Sequence, residues 1–281
     1  MTVSANAKVN LTLEVFGKRA DGYHALRSVV MPISLCDTLD IEATDDGSVT
    51  SDTGYDDDLC VKAARILRAS CLETRGSCLG AKISVVKRIP AGGGLGGGSA
   101  DAAAVLRALN ELWAVGLSRE ELAEVGAQVG SDVPALVCGC PVVMEGRGEK
   151  VTPLSGVRHP AFNLVLVNPG VHSSTKEVYA ACEDRPFGGE DLTAEMVAAL
   201  KAEDLGRIAA ALMNDLQAPA VRLHPEIADA LVSLRTAGVV GAMMSGSGSS
   251  VFGIVPDAAA AERIASELNA RGLQSWAVSA L

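Results

Sequence analysis

The chain has 281 residues, of which 48% are hydrophobic and 3% aromatic, and its 24 basic and 34 acidic side chains give a formal net charge of −10. This length predicts one large domain or two of ordinary size, and the apolar fraction excludes a disordered chain. The acidic balance argues against a nucleic-acid partner, although a local cluster of amides and lysines can still bind a small anion.

The seven cysteines are scattered along the chain and form no Cys-x-x-Cys pair. Cys138 and Cys140 are too close together for a usual zinc arrangement, so reduced thiols in a cytoplasmic protein are expected. The first residues lack a basic segment followed by an apolar run, and no stretch reaches membrane-spanning length. We therefore expect a cytoplasmic protein with no membrane partner.

Apolar alternation and helical spacing predict the elements of the N-terminal half. Strands are predicted over residues 4–16, 29–35, 38–43 and 81–89. A helix is predicted over residues 56–70, and two more between the glycine-rich segment at 92–98 and residue 129. A hairpin is predicted for residues 142–145 and 150–153, around Gly146 and Gly148.

Six glycines and a leucine lie between Pro90 and Ser99, after a β-branched strand and before a helix with one apolar stripe. Bare backbone N–H groups and a helix N-terminus then converge on one point, which attracts phosphate. Glycine admits left-handed conformations there and lets an anion approach closely. We name this segment the first glycine loop and predict that it binds the phosphates of a nucleotide through Pro90, Ala91, Gly92, Gly93, Gly94, Leu95, Gly96, Gly97, Gly98, Ser99 and Ala100.

Other interpretations of this loop are weaker. No Gly-Lys-Ser/Thr follows the glycines, so the P-loop pattern is absent. Gly92, Gly94 and Gly97 satisfy the dinucleotide fingerprint, but the match is nearly automatic in so glycine-rich a run, and a capping box at Ser118 opens another helix where a second strand is required. A dinucleotide-dependent oxidoreductase is the alternative from another enzyme class. A flexible linker would lack the leucine and the regular flanks.

Residues 155–160 are polar and contain turn formers, which predicts a domain boundary. Beyond it, strands are predicted over residues 162–167, 239–244, 251–255 and 275–280. Helices are predicted over residues 175–182, 192–201, 205–214, 226–237 and 258–271. This interleaving of strands and helices predicts an α+β second domain.

Phosphoryl transfer needs a group that takes up the proton of the attacking hydroxyl. Asp132 can project into a cleft as a general base, or it can cap the helix that begins at Val133, and the sequence leaves both roles open. Lys8 either faces solvent or faces the first glycine loop, where its ammonium would lower an aspartate pKa and stabilise negative charge. Asn10 shares the face of Lys8 by strand alternation.

Two further segments carry polar groups. Residues 245–249, Ser-Gly-Ser-Gly-Ser, are either a plain hairpin turn or a second glycine loop that braces the first. Tyr23 and His24 are unusual together in so aromatic-poor a chain. Singly, such residues usually pack or make one hydrogen bond, but together on a loop they could stack on a base and bind its edge.

Four segments, in this order, resemble the GHMP kinase superfamily: residues 7–11 (Ala-Lys-Val-Asn-Leu), the first glycine loop, residues 130–134 (Gly-Ser-Asp-Val-Pro) and residues 245–248. Residues 17–24 and 96–101 resemble, more narrowly, the members that phosphorylate a cytidylyl-methylerythritol. Many relatives have Ser-Ser-Asn where this chain has Ser99, Ala100 and Asp101, so a hydroxyl is missing at position 100. Another GHMP kinase, acting on mevalonate or homoserine, and a catalytically inactive binding protein of the same fold are the remaining alternatives.

The resemblance implies a two-domain α+β fold. Residues 1–155 would form a ribosomal-protein-S5-like ATP-binding domain and residues 160–281 a ferredoxin-like domain, with the catalytic cleft between them. ATP would be the co-substrate together with Mg²⁺, for which Ser99 is the one suggested ligand. The partner would be a small molecule, and the chain a monomer or a weak homodimer.

The resemblance also implies the roles of individual residues. Lys8 and Asp132 would form the catalytic pair. Tyr23 would stack on the cytosine of the substrate, His24 would bind its edge, and Tyr179 would lie opposite Tyr23. The residues expected to bind the substrate are Asn10, Tyr23, His24, Thr175 and Tyr179.

Overall fold

The structure, a computed structural model, describes residues 1–20, 22, 24–75, 78–157, 162–182 and 191–281, without the side chains of residues 71–75. Its strands are β1 Thr2–Asn10, β2 Thr12–Lys18, β3 His24–Thr44, β4 Val49–Ser51, β5 Gly80–Val86, β6 Val142–Gly146, β7 Lys150–Pro153, β8 Asn163–Asn168, β9 Met213–Asn214, β10 Gly241–Met244, β11 Val251–Val255 and β12 Gln274–Ser279. Its helices are α1 Leu59–Arg75, α2 Gly97–Leu112, α3 Arg119–Val129, α4 Val133–Cys138, α5 Thr175–Ala180, α6 Leu192–Lys201, α7 Leu205–Ala210, α8 Gln217–Leu223, α9 Glu226–Thr236 and α10 Ala258–Ala270.

Strand β3 organises the first sheet. It is 21 residues long and pairs antiparallel with β1, β2, β5 and β6 along different parts of its length. Two separate strands were predicted here, at residues 29–35 and 38–43. Cys36 and Asp37 continue the ladder instead, opposite Asn6 and Ala5 of β1, because the pairing with β1 holds the backbone extended through both residues.

The predicted first strand, residues 4–16, is divided in the structure. β1 ends at Asn10 and β2 begins at Thr12. Leu11 between them donates its N–H to the carbonyl of Val29 at 2.8 Å, so β3 holds the break in place. β1 therefore delivers Lys8 and Asn10 to one end of the sheet.

Helices α1 to α4 cover the first sheet, and a hydrophobic core lies between these helices and the sheet. The fully buried side chains there include Leu67 of α1 and Leu106 and Leu109 of α2, which pack with Val9 and Ile41 of the strands. Helix α3 begins with the predicted capping box, in which Ser118 and Glu121 exchange hydrogen bonds. The hairpin β6–β7 also forms as predicted.

The second sheet is antiparallel, in the order β10-β11-β8-β12, and α9 and α10 pack on it. The helix predicted over residues 205–214 is wrong at its end: α7 stops at Ala210, and β9 pairs in parallel with β2 of the first sheet. Asp215 secures this pairing, since its N–H donates to Leu13 and its carboxylate accepts the N–H of Val15 at 2.8 Å. Helix α8 was not predicted. Among the described helices, none is long and apolar enough to cross a membrane.

Candidate active site

The first glycine loop connects β5 to α2 with three left-handed residues. Gly92, Gly94 and Gly96 have φ values of 64°, 73° and 70°. Gly96 occupies the N-cap position of α2 without a side-chain cap, as its lack of a side chain requires. The loop thus presents main-chain groups at the N-terminus of a 16-residue helix, which favours an anion.

The second glycine loop, residues 245–249, braces the first. The hydroxyl of Ser245 donates to the carbonyl of Gly94 at 3.0 Å, and the N–H of Ser250 donates to the carbonyl of Gly93 at 3.1 Å. A Cβ atom on Gly94 would lie 2.1 Å from the carbonyl oxygen of Ser245. These contacts favour the bracing role over a plain hairpin turn.

Lys8 faces the first glycine loop, and its side chain is only 3% exposed. Its Nζ lies 3.3 Å from Oδ2 of Asp132 and donates to Oδ1 of Asn10 at 2.6 Å and to the carbonyl of Gly94 at 3.2 Å. Asp132 precedes α4 but makes no capping hydrogen bond with its side chain, which is 31% exposed. The structure therefore gives this carboxylate the ammonium of Lys8 as its partner.

Asn10 is held by a residue that the sequence analysis missed. Its Nδ2 donates to Oγ of Ser28 at 2.8 Å, and Ser28 in turn donates to the carbonyl of Thr12 at 2.5 Å. With the amide nitrogen committed to Ser28, Oδ1 of Asn10 is left to accept from Lys8. The sequence signal that could have identified this role is the polar Ser28 in an otherwise apolar strand segment, between Leu26 and Val29 of β3, both of which are buried.

A side wall of the site is formed by His24 and Tyr179, whose ring centroids are 5.4 Å apart at an interplanar angle of 30°. Burial raises the pKa of the Tyr179 phenol, and the charge of Asp132 raises it further, so the phenol stays protonated near the carboxylate. The hydroxyl of Thr175 lies 2.8 Å from Oγ of Ser247 in the second glycine loop. Tyr23 lies outside the described residues.

An ionic cluster of two buried carboxylates and one partly exposed lysine, at the base of the first glycine loop, was not predicted from the sequence. Lys87, directly after β5, lies between Asp37 of β3 and Asp101 of α2. Burial raises the pKa of Asp101 to about 7, against the lowering effect of Lys87, and Asp37 adds to the rise. Burial alone would lower the pKa of Lys87, but its hydrogen bonds to the two carboxylates raise it.

Ser99 belongs to the first turn of α2, and its Oγ lies 3.9 Å from the position that a Cβ on Gly130 would occupy. Its hydroxyl therefore lies beside the turn that carries Asp132. The described residues contain no group of three or more His, Cys, Asp or Glu side chains that could hold a metal ion by themselves.

Family models match both halves of the chain. The model described as "GHMP kinases N terminal domain" matches residues 58–140, and "GHMP kinases C terminal" matches residues 196–274. The chain is 40% identical to the 4-diphosphocytidyl-2-C-methyl-D-erythritol kinase of Symbiobacterium thermophilum over 100% of both chains. A crystal structure of 4-(cytidine 5'-diphospho)-2C-methyl-D-erythritol kinase superposes with a TM-score of 0.83 at 35% identity, over 100% of this chain and 99% of the other.

A mevalonate kinase from Methanococcus jannaschii superposes with a TM-score of 0.71 at 15% identity, over 100% of this chain and 98% of the other, a likeness that concerns the fold alone.

The fold, the two glycine loops and the matching family models define a GHMP kinase, a two-domain α+β enzyme that uses ATP to phosphorylate an alcohol group. At 40% identity over its full length, the chain belongs among the 4-diphosphocytidyl-2-C-methyl-D-erythritol kinases of that family.

Proposed function

We propose that this enzyme transfers the γ-phosphoryl group of MgATP to the tertiary hydroxyl of 4-diphosphocytidyl-2-C-methyl-D-erythritol, a step of the non-mevalonate isoprenoid pathway. The observation that carries the proposal is the Lys8–Asp132 pair, with 3.3 Å between Nζ and Oδ2, next to the first glycine loop. The names of the full-length relatives support the substrate. The His24–Tyr179 wall near this pair supplies aromatic surface for a nucleobase.

Asp132 accepts or orients the proton of the attacking hydroxyl. Its partial exposure leaves it accessible to a substrate in the cleft, while Lys8 holds it in place. The buried ammonium stabilises negative charge on the group being transferred. Asn10 keeps the ammonium directed toward the site.

Residues 90–100 bind the phosphates of ATP through their main-chain groups. Mg²⁺ usually takes one or two protein oxygens and fills its remaining positions with phosphates and water. The Ser99 hydroxyl beside the Asp132 turn fits such a site, because no larger cluster of ligands is needed. When bound, the ion would neutralise charge on the β- and γ-phosphates.

The cytidylyl group binds at the His24–Tyr179 wall. His24 binds the edge of the cytosine, and Tyr23 and Tyr179 lie on its faces. Thr175 contributes a hydroxyl from the start of α5, where it already contacts Ser247.

The proposal also includes the domain bounds, the cellular compartment and the oligomeric state. Residues 1–155 form the ATP-binding domain and residues 160–281 the second domain. The enzyme works in the cytoplasm as a monomer or a weak homodimer.

An assay with labelled ATP and a panel of cytidylyl-methylerythritol, mevalonate and homoserine tests this function. We expect phosphorylation of the cytidylyl substrate alone. In a Tyr179→Ala variant, the KM for this substrate should rise about 5- to 150-fold, since base–aromatic stacking contributes about 1–3 kcal/mol, while the KM for ATP stays unchanged. Preferred phosphorylation of mevalonate or homoserine, or NAD(P) binding without kinase activity, would reject the proposal.

A further inference from the structure

We propose that Asp37, Lys87 and Asp101, together the loop-base cluster, are positioning residues for ATP: they tie the start of the first glycine loop to its end and so set how the loop binds the triphosphate. The inference rests on the proposed function, because ATP is the ligand that the loop is proposed to hold.

Asp37 fixes the start of the loop. It is completely buried in β3, and its Oδ1 accepts the backbone N–H groups of Arg88 at 2.5 Å and of Ile89 at 2.8 Å. Its Oδ2 accepts from Nζ of Lys87. Hydrogen bonds to an ionised carboxylate are stronger than neutral ones. The three residues before Pro90 are thus attached to the longest strand of the first sheet.

Lys87 carries this attachment across to the end of the loop. Its Nζ donates to Oδ2 of Asp101 at 2.6 Å, and Asp101 is the fifth residue of α2. The same Nζ lies 3.5 Å from the position that a Cβ on Gly97 would take, which is where the loop becomes helix. One ammonium therefore joins residues 14 positions apart on the two sides of the loop.

The hydrogen bonds of the loop-base cluster affect the affinity for ATP because a run of glycines has unusual conformational freedom. Main-chain donors bind a phosphate well only when they already point at it, and ordering them on binding weakens the affinity. Fixing both ends of the loop reduces the freedom that ATP would otherwise have to remove. Stability alone is a poor reason for the cluster, since buried ion pairs often stabilise no better than apolar residues of similar size.

The test measures ATP and the acceptor substrate separately. In Asp37→Asn, one carboxylate oxygen becomes an N–H donor and the charge is lost. We expect the Kd of the non-hydrolysable analogue AMPPNP and the KM for ATP to rise about 10-fold, the size expected for losing one charge-assisted hydrogen bond. The KM for the cytidylyl substrate should stay within about twofold. A merely structural role would reduce the folded fraction without separating the two KM values.

Lys87→Met provides a second variant, because the Lys87 side chain is 27% exposed and its loss leaves both backbone hydrogen bonds of Asp37 in place. It too should raise the KM for ATP. The double variant, with both Asp37→Asn and Lys87→Met, should bind AMPPNP no more weakly than the single variant that binds it less tightly. The reason is that substitutions of residues that act as a unit do not have additive effects.

Asp257→Asn is the matched control. Asp257 also uses its carboxylate to hold a backbone N–H, that of Ala260 at 2.7 Å, but it does so at the start of α10 in the second half of the chain. Its variant should leave both KM values unchanged.

The outcomes separate the two proposals. If the unsubstituted enzyme does not bind AMPPNP, the proposed function fails and the inference fails with it. If it binds AMPPNP, and Asp37→Asn and Lys87→Met bind it equally well at equal folded fraction, only the inference is overturned. Should Asp37→Asn not fold, an unchanged KM for ATP in Lys87→Met overturns the inference by itself.

Discussion

Asp132 occupies the capping position of a helix but does not cap it with its side chain. Its place before Val133 and Pro134 is typical of a helix cap, yet its side chain makes no hydrogen bond to the helix that follows. Lys8, far earlier in the chain, is its ion-pair partner instead. A carboxylate that caps nothing and pairs with a buried ammonium fits the proposed role of Asp132 in accepting or orienting a substrate proton.

Asp132→Asn should therefore retain the fold and lose most turnover. The loss expected for a general base is about 10²- to 10⁴-fold in kcat, measured with saturating ATP and acceptor. Asp204→Asn is the control, because Asp204 does cap a helix, accepting the N–H of Arg207 at 3.0 Å. It should leave both stability and activity nearly unchanged, because Asn caps a helix about as well as Asp. Near-normal turnover in Asp132→Asn would refute the assignment.

Asp101 is a buried carboxyl whose protonation affects folding. Its Oδ1 has no hydrogen-bond partner in the described part of the chain, and burial raises its pKa to about 7 from a usual 3.8. Between these two values the folded state binds more protons than the unfolded state. The free energy of unfolding must then fall as the pH rises from about 4 to about 7, and this contribution becomes constant above the folded-state pKa.

The Asp101→Asn variant should remove this dependence. Its free energy of unfolding in urea should change less between pH 5 and pH 8 than that of the unsubstituted protein, by an amount on the order of a few kcal/mol. Equal pH dependence in the two proteins would show that Asp101 does not hold the extra proton.

Among the elements, the two glycine loops depend on each other. Each follows a strand, and they meet where Gly94 approaches Ser245 more closely than any side chain would permit. This approach places the main chain of the first loop against Lys8 as well, through the carbonyl of Gly94. Glycine is needed at this position both for its positive φ and for the contact.

Gly94→Ala should disrupt both loops. Gly272→Ala is the matched control, since Gly272 has a φ of 85° but no atom of the described residues within 4 Å of the position that a Cβ would take. The control should lose only the roughly 1–2 kcal/mol of a left-handed alanine. Gly94→Ala should lose more stability in urea denaturation and should raise the KM for ATP. Equal losses in the two variants would contradict the interlocking of the loops.

At the scale of the whole molecule, the two sheets are joined rather than merely adjacent. β9 adds residues from the second half of the chain to the first sheet, and Ile33 forms a β-bridge with Ala280 near the C-terminus. The largest hydrophobic cluster contains Leu106 from the first half together with Phe162 and Phe252 from the second. Neither half buries its apolar surface without the other.

Thermal unfolding should accordingly occur in one cooperative transition. In a calorimetric scan the measured enthalpy should equal the van't Hoff enthalpy, and AMPPNP should shift the whole transition upward. Two separate transitions, with only one of them shifted by the nucleotide, would show that the halves unfold independently.

Local sequence patterns were sufficient to predict most elements, because the formation of these elements depends on residues close together in the chain. The capping box at Ser118, the hairpin β6–β7 and the strand–glycine–helix segment each depend on neighbouring residues, and each is present in the structure. The errors arose where distant pairing overrode a local pattern. β9 replaced the end of a helix because β2 offered it a parallel partner, and β3 remained continuous because β1 paired across Cys36 and Asp37.

The same distinction holds for the site. The sequence by itself predicted a phosphate site at the first glycine loop and singled out Lys8, Asn10 and Asp132 as polar groups at unusual positions. Only the tertiary structure decided that Lys8 faces the first glycine loop and that the Asp132 side chain does not cap α4. It also decided that Asp37 holds the backbone before the loop and that Ser28 holds Asn10. Side-chain direction and burial depend on residues far apart in the chain, and these come together only when the two sheets and their helices pack into the folded molecule.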